Sequence, residues 1–151
     1  MINVNELMVG DWVRIIAHYD IKAQNVVVSS IPDEHEDFKG SHGHYGHICA
    51  WFKTEDDEIC DDIEETKLEP IALNFILLEY NGFKPTTIDG VAVHLLAVND
   101  GTVQVSEHSY GLYLRISLPY HMYAGVCNTV HEFQNALRVC GLTNEANNFK
   151  A

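Results

Sequence analysis

The chain is short of positive charge. Nine Lys and Arg stand against 22 Asp and Glu in 151 residues, a formal net charge of −13. The bases are scattered singly, so no basic stripe is available to neutralise phosphate, and direct nucleic-acid binding is disfavoured. A surface this negative favours solubility, cationic partners or mimicry of a polyanion. Long apolar runs are also missing. None approaches the roughly 20 residues that a membrane-spanning helix needs. The opening MINVNELMVGDW has no basic n-region and no apolar stretch behind it, so no signal peptide is predicted and a cytoplasmic location is expected.

Cysteine is sparse. Cys49, Cys60, Cys127 and Cys140 include no CxxC pair. In the cytoplasm they are expected to be reduced thiols, mostly buried as small apolar groups. Neither GxxxxGK[ST] nor GxGxxG occurs, so a nucleotide cofactor has no support. The acids at Asp56, Asp57, Glu58, Asp61 and Asp62 match no register of a calcium-binding EF-hand loop.

What is present is a globular composition, 46% hydrophobic. The turn pair Gly10-Asp11 precedes a strand at Trp12–Ile16, and stiff β-branched residues favour a second at Asn25–Ser30. A polar loop over 33–44 leads into a third strand, Tyr45–Lys53. The acidic run over 55–69 reads as a solvated loop interrupted by a short strand at Ile59–Ile63. Alternation from Leu68 to Leu73, with Pro70 inside it, predicts an edge strand or a strand entry. Short strands at this density suggest a small SH3-like barrel.

Asn74 is an N-cap for a short helix carrying Phe75, Leu77, Leu78 and Tyr80, and Asn81-Gly82 ends it. Strands at Val91–Val98 and Thr102–Glu107 flank Asn99-Asp100-Gly101, a hairpin signal, and Leu112–Leu118 alternates cleanly. Thr129 and Glu132 make a capping box for a helix whose stripe is Val130, Phe133, Leu137 and Cys140, with Gly141 at its end. After Thr143 the polar chain is expected to fray. The expected fold is therefore α+β: an SH3-like barrel over 1–72, carrying a His-rich and acidic insertion at 33–65, followed by an α-β-β-β-α unit over 73–151.

Three stretches together resemble a known family: Leu7-Met8-Val9-Gly10-Asp11-Trp12-Val13, then Glu69-Pro70-Ile71-Ala72-Leu73 running to Gly82-Phe83, then Val130-His131-Glu132-Phe133-Gln134-Asn135. The chain is similar to small uncharacterised proteins of Bacteroides-type gut bacteria and their phages and mobile elements. These share L-x-x-G-[DN]-x-V, E-P-I-x-L leading to G-F, and V-H-x-[LF]-Q-N. The resemblance implies an accessory protein of mobile-element type and brings no catalytic residue or cofactor with it.

Three constellations carry chemistry. His42, His44, His47 and Cys49 lie within eight positions and suit zinc by ligand type, although structural zinc sites usually join two separated pairs. The alternative is a glycine-flanked loop entering a strand, whose exposed histidines capture zinc or nickel adventitiously. His131-Glu132 begins like HExxH, but Asn135 replaces the second histidine. Cys127 precedes a helix N-terminus, where a thiolate is favoured, whereas Cys140 lies on the apolar stripe. Tyr110, Tyr113, Tyr120 and Tyr123 either form a binding surface or cover the edge of the core.

The leading expectation is a non-catalytic accessory protein that works through protein contacts, a homodimer among them, with no resident cofactor and no nucleic acid or membrane as partner. The alternatives are an acidic mimic that blocks a nucleic-acid-binding protein and a metal-binding protein built on the histidine loop.

Overall fold

The computed structural model describes residues 2, 7–17, 22–30, 47–53, 58–64 and 67–151. The chain divides into two compact units, Met1–Ile71 and Ala72–Ala151.

In the first unit, β1 (Trp12–Ile15) alternates as its sequence requires, with Val13 and Ile15 buried and Arg14 exposed. It pairs antiparallel with β2 (Gln24–Ser30), Val13 opposite Val26. A register shift between Val28 and Ser30 marks a bulge in the next pairing, β2 with β3 (His47–Lys53). β3 then pairs with β4 (Glu58–Glu64), His47 opposite Glu64 and Lys53 opposite Glu58. The acidic run thus holds a seven-residue strand, longer than the Ile59–Ile63 segment expected. β5 (Leu68–Glu69) returns to pair with β1, giving the order β4-β3-β2-β1-β5. Ile2, Leu7, Val13, Ile15, Val26, Val28 and Leu68 form the core of this unit.

The Gly10-Asp11 turn is tied to β2 from both sides. Gly10 N–H donates to Val28 O at 2.7 Å, and Val28 N–H donates to Asp11 O at 2.9 Å. The fully buried Asp11 carboxylate accepts Met8 N–H at 2.8 Å, closing the turn on itself. Gly10 has φ 93, a value that glycine adopts without cost.

The second unit opens with α1 (Phe75–Tyr80). Asn74 caps it by accepting Leu77 N–H at 3.0 Å, as the sequence predicts. An antiparallel meander follows: β6 (Lys84–Ile88), β7 (Val91–Val98), β8 (Gly101–His108), β9 (Gly111–Leu118) and β10 (His121–Val126), in that spatial order. It ends in α2 (Val130–Val139) and α3 (Thr143–Asn148).

The unit therefore carries five strands and three helices, and the α-β-β-β-α expectation is corrected at three places. β6, KPTTI, is polar, exposed at every position and contains Pro85. The Asp89-Gly90 turn, with φ 51 and 81, folds it back onto β7. Beyond Leu118, Pro119-Tyr120 is a two-residue turn that lays a further strand, β10, against β9. The tail past Thr143 is helical. Gln134, fully buried on α2, donates from Nε2 to Ala146 O at 2.9 Å, and Phe149 packs on Phe133 with ring centroids 5.1 Å apart.

Phe133 also meets Phe83 edge-on at 5.9 Å, so it lies at the centre of this core. The expected stripe of Val130, Phe133, Leu137 and Cys140 is buried throughout. α2 ends in a Schellman arrangement: Leu142 N–H donates to Leu137 O, Gly141 N–H donates to Arg138 O, and Gly141 has φ 79.

Candidate functional site

The meander has two unlike faces. The inner one carries Val103, Val105, Leu114 and Ile116, all fully buried, and His94. The His94 ring stacks on Phe75 of α1 at 4.2 Å and 10°, and its Nε2 lies 2.9 Å from Glu79 Oε1. Nothing in the sequence singled out this pair, because Glu79 and His94 belong to elements whose packing is not encoded in their spacing.

Across the outer face the registers align Thr86, Val93, Ser106, Tyr113 and Val126 in one row. The next row holds Lys84, Leu95, Gln104, Arg115 and Ala124. At the β8–β9 end of this face, His108 stacks with Tyr110 at 5.2 Å and 18°, and meets Tyr113 edge-on at 5.3 Å. Its Nε2 lies 3.1 Å from the buried Ser106 Oγ. Tyr110 is 58% exposed.

The hydroxyl–imidazole contact has the outline of a nucleophile and its base. Ser106 is buried, however, and among the described residues no carboxylate orients His108, so the contact fixes the ring between the two tyrosines. The result is a partly exposed aromatic corner, and the exposed Arg115 lies two residues from Tyr113 on the same face of β9. Aromatic and Arg side chains of this kind dominate the energetics of protein interfaces.

The corner is held by Asn128. Its Oδ1 accepts Leu112 N–H at 3.0 Å, its own N–H donates to Glu132 Oε2 at 3.0 Å, and its carbonyl accepts Leu73 N–H at 2.9 Å. Glu132 also accepts Thr129 N–H at 3.0 Å, which is the carboxylate half of the expected capping box. Thr129 Oγ1 sits in the box but is buried without a full hydrogen bond of its own.

The residues singled out in the sequence fall as follows. His42 and His44 lie outside the described residues. His47 and Cys49 are two apart on β3, with their backbones opposite Glu64 and Asp62. Among the described residues no three His, Cys, Asp or Glu side chains converge as metal ligands would. His131 is buried, with Nδ1 unpartnered, and Glu132 is engaged at the cap, so the HExxH-like start is a helix terminus.

Cys127 is 1% exposed. Burial first, and then the Glu132 carboxylate, push its thiol up to about 12, against a weaker opposing contact in which Sγ donates to Thr129 O. The activated thiolate suggested by its place before a helix is therefore corrected: desolvation outweighs the helix terminus. Burial likewise raises Cys140.

The tyrosines divide. Tyr110 and Tyr113 form the corner, and Tyr120 is fully exposed on its turn. Tyr123 turns to the inner face over Gly125, where burial and then the nearby Cys127 thiol raise its hydroxyl.

No protein-family model, curated protein or solved structure matches this chain. No helix among the described residues is long and apolar enough to cross a membrane.

Proposed function

We propose that the chain is a non-catalytic interaction protein of mobile-element type. On this reading an SH3-like first unit is followed by a sheet-and-helix unit, whose outer face receives a protein partner at the His108–Tyr110–Tyr113 corner. The corner carries the proposal, because two tyrosines are held rigid by a buried serine and an imidazole where solvent reaches them. Support for the barrel comes from a five-stranded meander whose last strand returns to the first, with a bulge in β2 that bends the sheet. The proposed lack of catalysis rests on Cys127, whose thiol stays protonated, and on Glu132, which is spent on backbone amides.

Proximity labelling in the cells that carry the protein, with wild type and Tyr110→Ala/Tyr113→Ala compared at equal abundance, tests the reading. At least one protein should be enriched by the wild type and lost with the variant. Identical profiles would sink it.

The distribution of charge favours a second reading. Sixteen of the 22 acids, but only five of the nine bases, precede Ala72, which puts a net −11 in the first unit and −2 in the second. A first unit so charged suits an acidic mimic of nucleic acid, whose binding to a basic protein would weaken steeply with added salt. A partner whose affinity is flat in salt excludes it.

A further inference from the structure

The two edges of the second sheet differ. β6 is blunted. The two-residue turn makes Ile88 and Val91 a hydrogen-bonded pair, which turns Pro85 and Thr87 outward, and Pro85 has no N–H to offer. Lys84 adds a charge beside it. β10, HMYAGV, carries neither a proline nor a formal charge.

The Pro119-Tyr120 turn makes His121 and Leu118 the corresponding hydrogen-bonded pair on that side. Tyr123 and Gly125 therefore face β9, and Met122, Ala124 and Val126 present their backbone groups outward. Among the described residues nothing bonds those outward groups. Their side chains lie on the outer face, with Met122 65% and Val126 48% exposed. A bare, uncharged, apolar edge is a template for another strand.

We propose that this edge pairs with β10 of a second copy, antiparallel about a two-fold axis through Ala124, joining two meanders into one continuous sheet. The sequence of the strand is self-complementary in that register. Met122 faces the second copy's Val126 and Val126 its Met122, as an isologous contact requires. The three outward residues exchange about six hydrogen bonds with their counterparts. Tyr123 falls opposite Gly125, large against small. No like charges meet, although each chain is strongly acidic overall. A partner strand from another protein would need no such symmetry, whereas the match of Met122 to Val126 about one axis is a property of two identical strands. One strand pair buries less than the roughly 1,200 Å² of a standard interface, so association is expected at tens to hundreds of micromolar. The edge, and not the tyrosine corner, carries this proposal, so the two stand or fall separately.

Sedimentation equilibrium of the full chain across that concentration range is the test. Wild type should approach twice the chain mass. Met122→Lys should shift the midpoint at least tenfold towards monomer, and Met122→Lys/Val126→Glu should recover most of the loss, because each new Lys then meets a Glu of the other copy. Ala124→Cys should cross-link to itself on mild oxidation, since hydrogen-bonded partners lie about 5.5 Å apart between Cα atoms, within disulfide reach. A wild type that remains monomeric at the top of the range overturns the proposal, as does a dimer indifferent to all three variants. Far-UV circular dichroism of each variant confirms that the sheet is intact. A monomeric wild type would leave the corner's partner test unaffected.

Discussion

Gly111 and Asn128 occupy one shared space. A Cβ added to Gly111 would overlap the Asn128 side-chain amide, whose Oδ1 is committed to Leu112 N–H. Gly111 also has φ 124, outside the range that side-chain-bearing residues readily adopt. The aromatic corner and the start of α2 are thereby fastened together at one residue pair.

Gly111→Ala should therefore destabilise the fold by about 2–3 kcal/mol, at the upper end of ordinary single substitutions. Asn128→Ala alone should cost about 1 kcal/mol for the lost hydrogen bond to Leu112. In the double variant the overlap disappears while the strained φ persists, so the two costs should sum to more than the measured total. Urea denaturation of the four proteins checks this, and simple additivity would contradict the shared-space account.

Cys127 makes stability fall in alkali. Its thiol is protonated in the folded chain up to about 12, against an ordinary value of 9.0. The unfolded chain releases that proton first, so the contribution is complete below pH 9 and is lost as pH rises towards 12. The slope in that window is about 1.4 kcal/mol per pH unit. Denaturant midpoints at several alkaline pH values, compared between wild type and Cys127→Ala, should converge as pH rises. The same burial predicts slow modification of Cys127 by an aromatic disulfide reagent under native conditions.

Gln134 holds α3. Its side chain is fully buried and donates to Ala146 O. Gln134→Leu would remove the donor and leave that carbonyl without it, at a cost of about 1–3 kcal/mol. Amide exchange should rise across Thr143–Asn148 by more than across β8 and β9. Equal protection in both regions would show that α3 is held by other contacts.

Phe133→Ala should be the most damaging of these changes, at about 3–5 kcal/mol, because the ring contacts both Phe83 and Phe149. Phe149→Ala should cost less. A smaller loss at position 133 than at 149 would displace Phe133 from the centre of the core.

Local chemistry was legible where one residue decides one backbone event. Asn74 caps α1, Gly141 terminates α2, and the Val130–Cys140 stripe is buried as its period requires. Alternation located β7, β8 and β9. It could not locate β6 or β10, because Lys84-Pro85-Thr86-Thr87-Ile88 and His121–Val126 lack a regular apolar face and are strands only because a two-residue turn delivers each to a neighbour. α3 has no apolar stripe either, and depends on a side chain of α2.

The candidate surface was half legible. Tyr110 and Tyr113 were visible as part of a cluster, but Tyr123, ten residues past Tyr113 and so in step with its alternation, faces the opposite way, because the Pro119-Tyr120 turn resets the register. The sequence alone determined the α+β composition, the caps and the acidic bias. The tertiary structure decided which edge stays open, which thiol loses its reactivity and which two tyrosines meet His108. Those outcomes depend on desolvation and on cross-strand register, and both are set by residues distant along the chain.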